Sequence, residues 1–80
     1  MKYWLVVHIL LNGVWTPGAQ VKPAGWHPRV YPSLAECERR RAFAMKAVKG
    51  VSKAESKWFC TRTPDAPLAA LEEEARARRR

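Results

Sequence analysis

The chain opens on an apolar and aromatic run, Tyr3–Leu11, broken only by His8. A short continuous run rich in β-branched and aromatic residues, closed by Asn12-Gly13, predicts a buried strand. Its two period-2 faces, Tyr3/Leu5/Val7/Ile9 and Trp4/Val6/Leu10, are both apolar. Asn-Gly is a strong hairpin signal, because both residues tolerate the left-handed backbone of a tight turn. Gly13, Pro17, Gly18, Pro23, Gly25, Pro28 and Pro32 then punctuate the chain and leave room for two short strands, near residues 14–16 and 26–31. Pro28 has no N–H to donate, which confines the second of these to an edge or a bulge.

Ser33-Leu34-Ala35-Glu36 reads as a capping box, and it predicts a helix over residues 34–49 with Gly50 as a left-handed stop. At 100° per residue, Leu34, Cys37, Arg41, Ala44, Met45 and Val48 share the inner face, with Glu36, Arg39 and Phe43 opposite. Arg41 fits that stripe by laying its stem on apolar surface and carrying its charge to the edge. A polar loop precedes a strand over residues 57–63, whose faces are Trp58/Cys60/Arg62 and Lys57/Phe59/Thr61/Thr63. Pro64 and Pro67 end it and open a second, shorter helix with a thin stripe of Leu68, Leu71 and Ala75. Acids placed toward its start and arginines toward its end suit the helix dipole, and Glu72–Arg76 and Glu74–Arg78 are the expected pairs. Its basic end is expected to fray.

These elements predict an α+β fold: a small antiparallel sheet of about three strands, one helix packed across it and a short C-terminal helix. Residues 1–63 form the single small domain and residues 64–80 the amphipathic helix. One helix cannot cover a sheet that is apolar on both sides. The second face therefore needs the C-terminal helix through Leu68 and Leu71, a second copy in a homodimer, or another partner.

Size and charge narrow the function. A chain of 80 residues and 9.1 kDa is too small for a deep pocket and a multi-step reaction. Four Trp and two Tyr supply a core that a disordered basic tail would lack. The Tyr3–Leu11 run is far shorter than the roughly 20 residues that cross a bilayer. A positive start before an apolar run also resembles an export signal, but the Asn12-Gly13 turn and the poor cleavage site at Pro17-Gly18-Ala19 favour a strand. The formal charge is +8, and all of the excess lies in residues 1–63, because four acids balance the four arginines of residues 64–80. A basic domain attracts acidic macromolecules, nucleic acid or acidic protein. The candidate contact surface is Arg39, Arg40, Phe43, Lys46 and Lys49 on the helix, with Lys53 and Lys57 nearby and Arg29 and Arg62 as extensions. Trp15 and Trp26, in Gly/Pro-rich segments, are either stacking groups or edge caps of the core.

Cys37 on the inner helix face and Cys60 in the last strand are expected to meet in the interior, as a disulfide or as two buried thiols. In the chain-entropy picture a bridge closing this loop contributes about 3 kcal/mol. His8, His27 and the cysteines lack the short ligand spacing of a structural zinc site, so no metal or cofactor is expected. No phosphate loop, nucleophile elbow or carboxylate pair is present, and no enzymatic activity is expected. Gly25-Trp26-x-Pro28-x-x-Tyr31-x-Ser33-x-x-x-Cys37, followed by Trp58-x-Cys60, resembles a pattern in short proteins of bacterial and phage genomes. That resemblance implies a small accessory protein and transfers no catalytic residue. Two functions follow. The first is a non-enzymatic binding module or inhibitor, cytoplasmic, that docks on protein or nucleic acid. The second is an exported, disulfide-stapled structural protein, periplasmic or secreted, whose charge is incidental.

Overall fold

A computed structural model describes residues 2–20, 27–50 and 54–78. In chain order the elements are β1 (Tyr3–Leu11), β2 (Val14–Pro17), a 3-10 turn (Gly18–Gln20), β3 (Arg29–Tyr31), α1 (Leu34–Lys49), β4 (Ser56–Thr61) and α2 (Leu68–Arg78). This is the expected α+β architecture, with four strands in one sheet.

β1 is the central strand, and every other strand pairs with it antiparallel. β4 runs along one side, from Trp4↔Thr61 to Ile9↔Ser56. β3 and β2 share the other side, β3 against residues 3–5 and β2 against residues 8–11. The β1–β2 reversal takes two residues, Asn12 at φ 52° and Gly13 at φ 78°. Both lie in the left-handed region, as a two-residue hairpin whose twist matches its strands requires. Pro28 lies just before β3, which is short and at the edge, where the missing N–H costs no ladder bond.

Because β1 is apolar on both faces, the sheet carries a helix on each. On one face Leu5, Val7, Trp58 and Cys60 pack with Cys37, and Leu34, Ala44 and Val48 of α1 cover them. On the other, Val6 and Phe59 pack on Leu71, joined by Trp4, Leu68 and Ala75. Of the three covers the sequence allows for this face, the chain's own C-terminal helix is the one found, through Leu68 and Leu71. Cys37 and Cys60 are buried, at 0% and 1% exposure, and lie at disulfide distance with Cα atoms 6.0 Å apart.

The caps and pairs follow the expected pattern only in part. Ser33 Oγ accepts from the Glu36 N–H at 3.2 Å, which fixes the start of α1. The Glu36 carboxylate instead meets Arg39 at 3.1 Å and Arg40 at 3.9 Å. Gly50 is not a left-handed stop: at φ −80° and ψ −17° it continues the helical conformation. Glycine accepts either backbone hand at little steric cost, so its presence alone does not decide which one is used. Met45, expected on the inner face, is 41% exposed because it sits at the margin of the stripe. Arg62 lies beyond the end of β4 and is exposed, so it does not share the inner face with Trp58 and Cys60.

In α2, Arg78 pairs with Glu74 at 2.8 Å as expected, while Arg76 pairs with Glu73 at 2.9 Å. Glu72 is drawn away from Arg76 to Lys57 of β4 at 3.0 Å. The first turn of α2 holds no acid, so the dipole is complemented only at its basic end. Arg79 and Arg80 lie outside the described residues, and Arg78 is held by three groups described below.

Leu71 is 1% exposed and is the main contribution of α2 to the core. Leu71→Ala is expected to lower the unfolding free energy by about 2–5 kcal/mol, the range for buried leucines, read by urea denaturation. The cysteine pair gives a second expectation. Intact mass under non-reducing conditions should be lower than the reduced mass by two hydrogens, and reduction should remove about 3 kcal/mol of stability.

Candidate functional site

Three surfaces carry polar chemistry, and they differ in what they can do. The first is the outer edge of β4. Strand alternation turns the Trp58 and Cys60 carbonyls away from β1, to a side where no described strand donates to them. Arginines take that place. Arg41 Nε donates to the Trp58 carbonyl at 2.9 Å, and Arg78 donates to the Cys60 carbonyl at 2.6 Å. One arginine comes from each helix. Glu38 of α1 lies 3.4 Å from Arg41 and 4.0 Å from Arg78, and Glu74 holds Arg78 from the other side. Glu74 also accepts from Thr61 Oγ1 at 2.5 Å, while Thr61 Oγ1 accepts from the Thr63 N–H at 3.0 Å. This network joins α1 to α2 across the strand edge, and it satisfies groups that would otherwise template edge-to-edge pairing. It is internal to the fold.

The second surface surrounds His8, which is 5% exposed on the α2 face of β1. Its ring meets Phe59 edge-on, with centroids 6.4 Å apart. Among the described residues Nδ1 has no hydrogen-bond partner. A cavity of about 190 Å³ lies beside it, lined by Pro17, Gly18, Pro64, Asp65 and Ala66 among others. Burial pushes the His8 imidazole below its ordinary value of 6.5, since desolvation penalises the charged form. Lys57, directly across from His8 in the ladder, sets a like charge on the same face, and Asp65 lines the cavity.

The third surface is the groove between α1 and β3, about 350 Å³ in volume. Leu5, Val7, Ala44 and Trp58 form its floor, and His27, Arg29, Tyr31, Arg40 and Phe43 are among the residues at its sides. None of its lining residues is acidic. Arg29 and Tyr31 sit opposite Leu5 and Tyr3 in the ladder, which points both toward the α1 side of the sheet.

The candidate contact residues divide over these surfaces. Arg39, Arg40, Phe43 and Lys46 fall along the outer and β3-facing sides of α1. All four are exposed, Phe43 at 69%. Lys49 lies in the last turn of α1 on the flank away from the groove. Lys57 belongs to the opposite sheet face, where it pairs with Glu72 and sits 4.7 Å from the centre of the Trp15 ring. Trp15 is thus a half-buried cap over Lys57. Lys53 and Trp26 lie outside the described residues. Arg29, His27 and Tyr31 complete the groove that the helix alone does not define; the sequence signal for Arg29 and Tyr31 is the edge strand after Pro28, and His27 carries none.

Among the described residues no group of three or more His, Cys, Asp or Glu side chains could hold a metal ion. Nor is any described helix long and apolar enough to cross a membrane. Comparison with protein-family models, curated proteins and solved structures finds no match to this chain.

The buried neutral His8 makes stability depend on pH. The unfolded chain takes up a proton near pH 6.5, and the folded chain only at lower pH. Stability from this residue is therefore complete above that range and declines as pH falls through it. The thermal midpoint should drop between pH 7.5 and pH 5, and His8→Leu should flatten that part of the profile.

Proposed function

We propose that this chain is a small non-enzymatic binding module that docks on polyanionic macromolecules through the α1/β3 side of the sheet. The observation that carries this reading is the basic lining of one groove. Glu36, Glu38, Glu72, Glu73 and Glu74 are all engaged in ion pairs with neighbouring arginines or Lys57. Among the described residues the groove between α1 and β3 is lined by Arg29, Arg40 and His27 and by no carboxylate, while Lys46 lies on the neighbouring outer face of α1. Cations beside a concave apolar floor attract anions and speed their encounter, and here Glu36 stands 3.9 Å from Arg40 at the rim. Affinity of this kind comes from counterion release and falls steeply with salt.

The second reading, an exported disulfide-stapled structural protein, is favoured by one observation, the buried Cys37/Cys60 pair at disulfide distance. A bond there would persist in an oxidising compartment. The two readings separate in a binding experiment, because an incidental charge has no localised contact surface.

The test is heparin or nucleic-acid binding by the variant R39E/R40E/K46E, with circular dichroism to confirm that it is folded. Binding at low salt should be lost, and the slope of log affinity against log salt should flatten by about 2–3. Wild-type binding by the folded variant would overturn the assignment of the surface.

A further inference from the structure

Resting on the polyanion reading above, the geometry points to single-stranded nucleic acid as the ligand of the α1/β3 groove, and we infer that Phe43 is its base-stacking platform. Phe43 is 69% exposed in the middle of α1 and belongs to neither core cluster. An exposed apolar ring is unremarkable alone. Its setting is what makes it specific. Arg40 lies one turn before it and Lys46 one turn after it on neighbouring rows of the helix, and Arg29 lines the same groove from β3. An exposed ring at the rim of a groove, with Arg29 and Arg40 in the lining and Lys46 on the adjoining helix face, can hold a sugar-phosphate backbone on charges while a base stacks on the ring, although Arg40 also lies 3.9 Å from Glu36. Tyr31, half-buried in the same groove, offers a second ring.

The alternatives fit the same residues less well. A duplex keeps its bases stacked on each other and offers phosphates only, so Phe43 would contribute nothing to its binding. An acidic protein would be held by Arg29, Arg40 and Lys46 without needing an exposed ring between them. The groove volume of about 350 Å³ lies within the range of small-ligand sites, which suits one splayed base better than a helix or a strand.

The experiment compares three fluorescent or competing probes at one salt concentration: an oligothymidylate of about 12 nucleotides, within the usual site sizes, a duplex of equal length, and heparin. Wild-type protein should prefer the single strand. Phe43→Ala should weaken single-strand binding by about 5- to 150-fold, the effect of losing one stacked base. It should leave heparin and duplex binding unchanged, and Phe43→Trp should retain the single-strand preference. Equal affinity for single strand and duplex, untouched by Phe43→Ala, would overturn the inference while leaving the polyanion reading standing. Absence of binding to all three probes at low salt would overturn both. Phe43 is largely solvated, so neither variant is expected to unfold the chain.

Discussion

The fold depends on one constraint: the central strand has no polar face. Val6 and His8 are as buried as Leu5 and Val7, so β1 must be covered from both sides. α1 supplies one cover and α2 the other, and each binds through a small set of side chains, with Cys37 and Leu71 at their centres. A chain of 80 residues has little apolar area to spare for this. The edge of β4 adds a second tie between the layers. Arg41 and Arg78 reach from opposite helices to successive outward carbonyls, and Glu38 stands between them. The cysteine pair lies under the same edge. Polar and apolar ties and the cysteine pair thus converge on β4, which carries residues of both cores.

This arrangement also decides where the acidic side chains of the two helices are engaged. Covering the second face with α2 uses the acids of α2: Glu72 holds Lys57, and Glu74 holds Thr61 and Arg78. On the α1 side, Glu36 and Glu38 turn to their own helical arginines. Arg29, Arg40 and His27 line the groove where α1 meets β3, and Glu36 stands 3.9 Å from Arg40 there. The same groove combines a concavity with the exposed ring of Phe43.

Much of this was legible in sequence, because it rests on local rules. The bounds of α1 follow from Ser33 and the apolar spacing, the hairpin from Asn12-Gly13, and the cysteine proximity from two inward-facing positions. The demand for a second cover followed from the two apolar faces of β1, although residues alone left three ways to meet it. What was not legible depends on three-dimensional placement. Nothing local says that Arg41 and Arg78 will end on strand carbonyls, since those carbonyls become available only when β4 is an edge. Strand alternation alone places Lys57 on the face away from α1; that Glu72 of α2 meets it there is not readable from the residues. Arg29 and Tyr31 gained their place in the groove only through the β1–β3 register.

The account is tested most directly by removing the second cover. A chain ending after Thr63 keeps β1, β4, α1 and both cysteines but exposes Val6 and Phe59 and frees the Cys60 carbonyl. Light scattering with chemical denaturation, at matched concentration beside the full chain, reads its association state and cooperativity. The structure predicts a truncated chain that either self-associates through the bared face or loses its cooperative transition. A monomer that unfolds cooperatively with the stability of the full chain would contradict the claim that both faces of β1 must be covered.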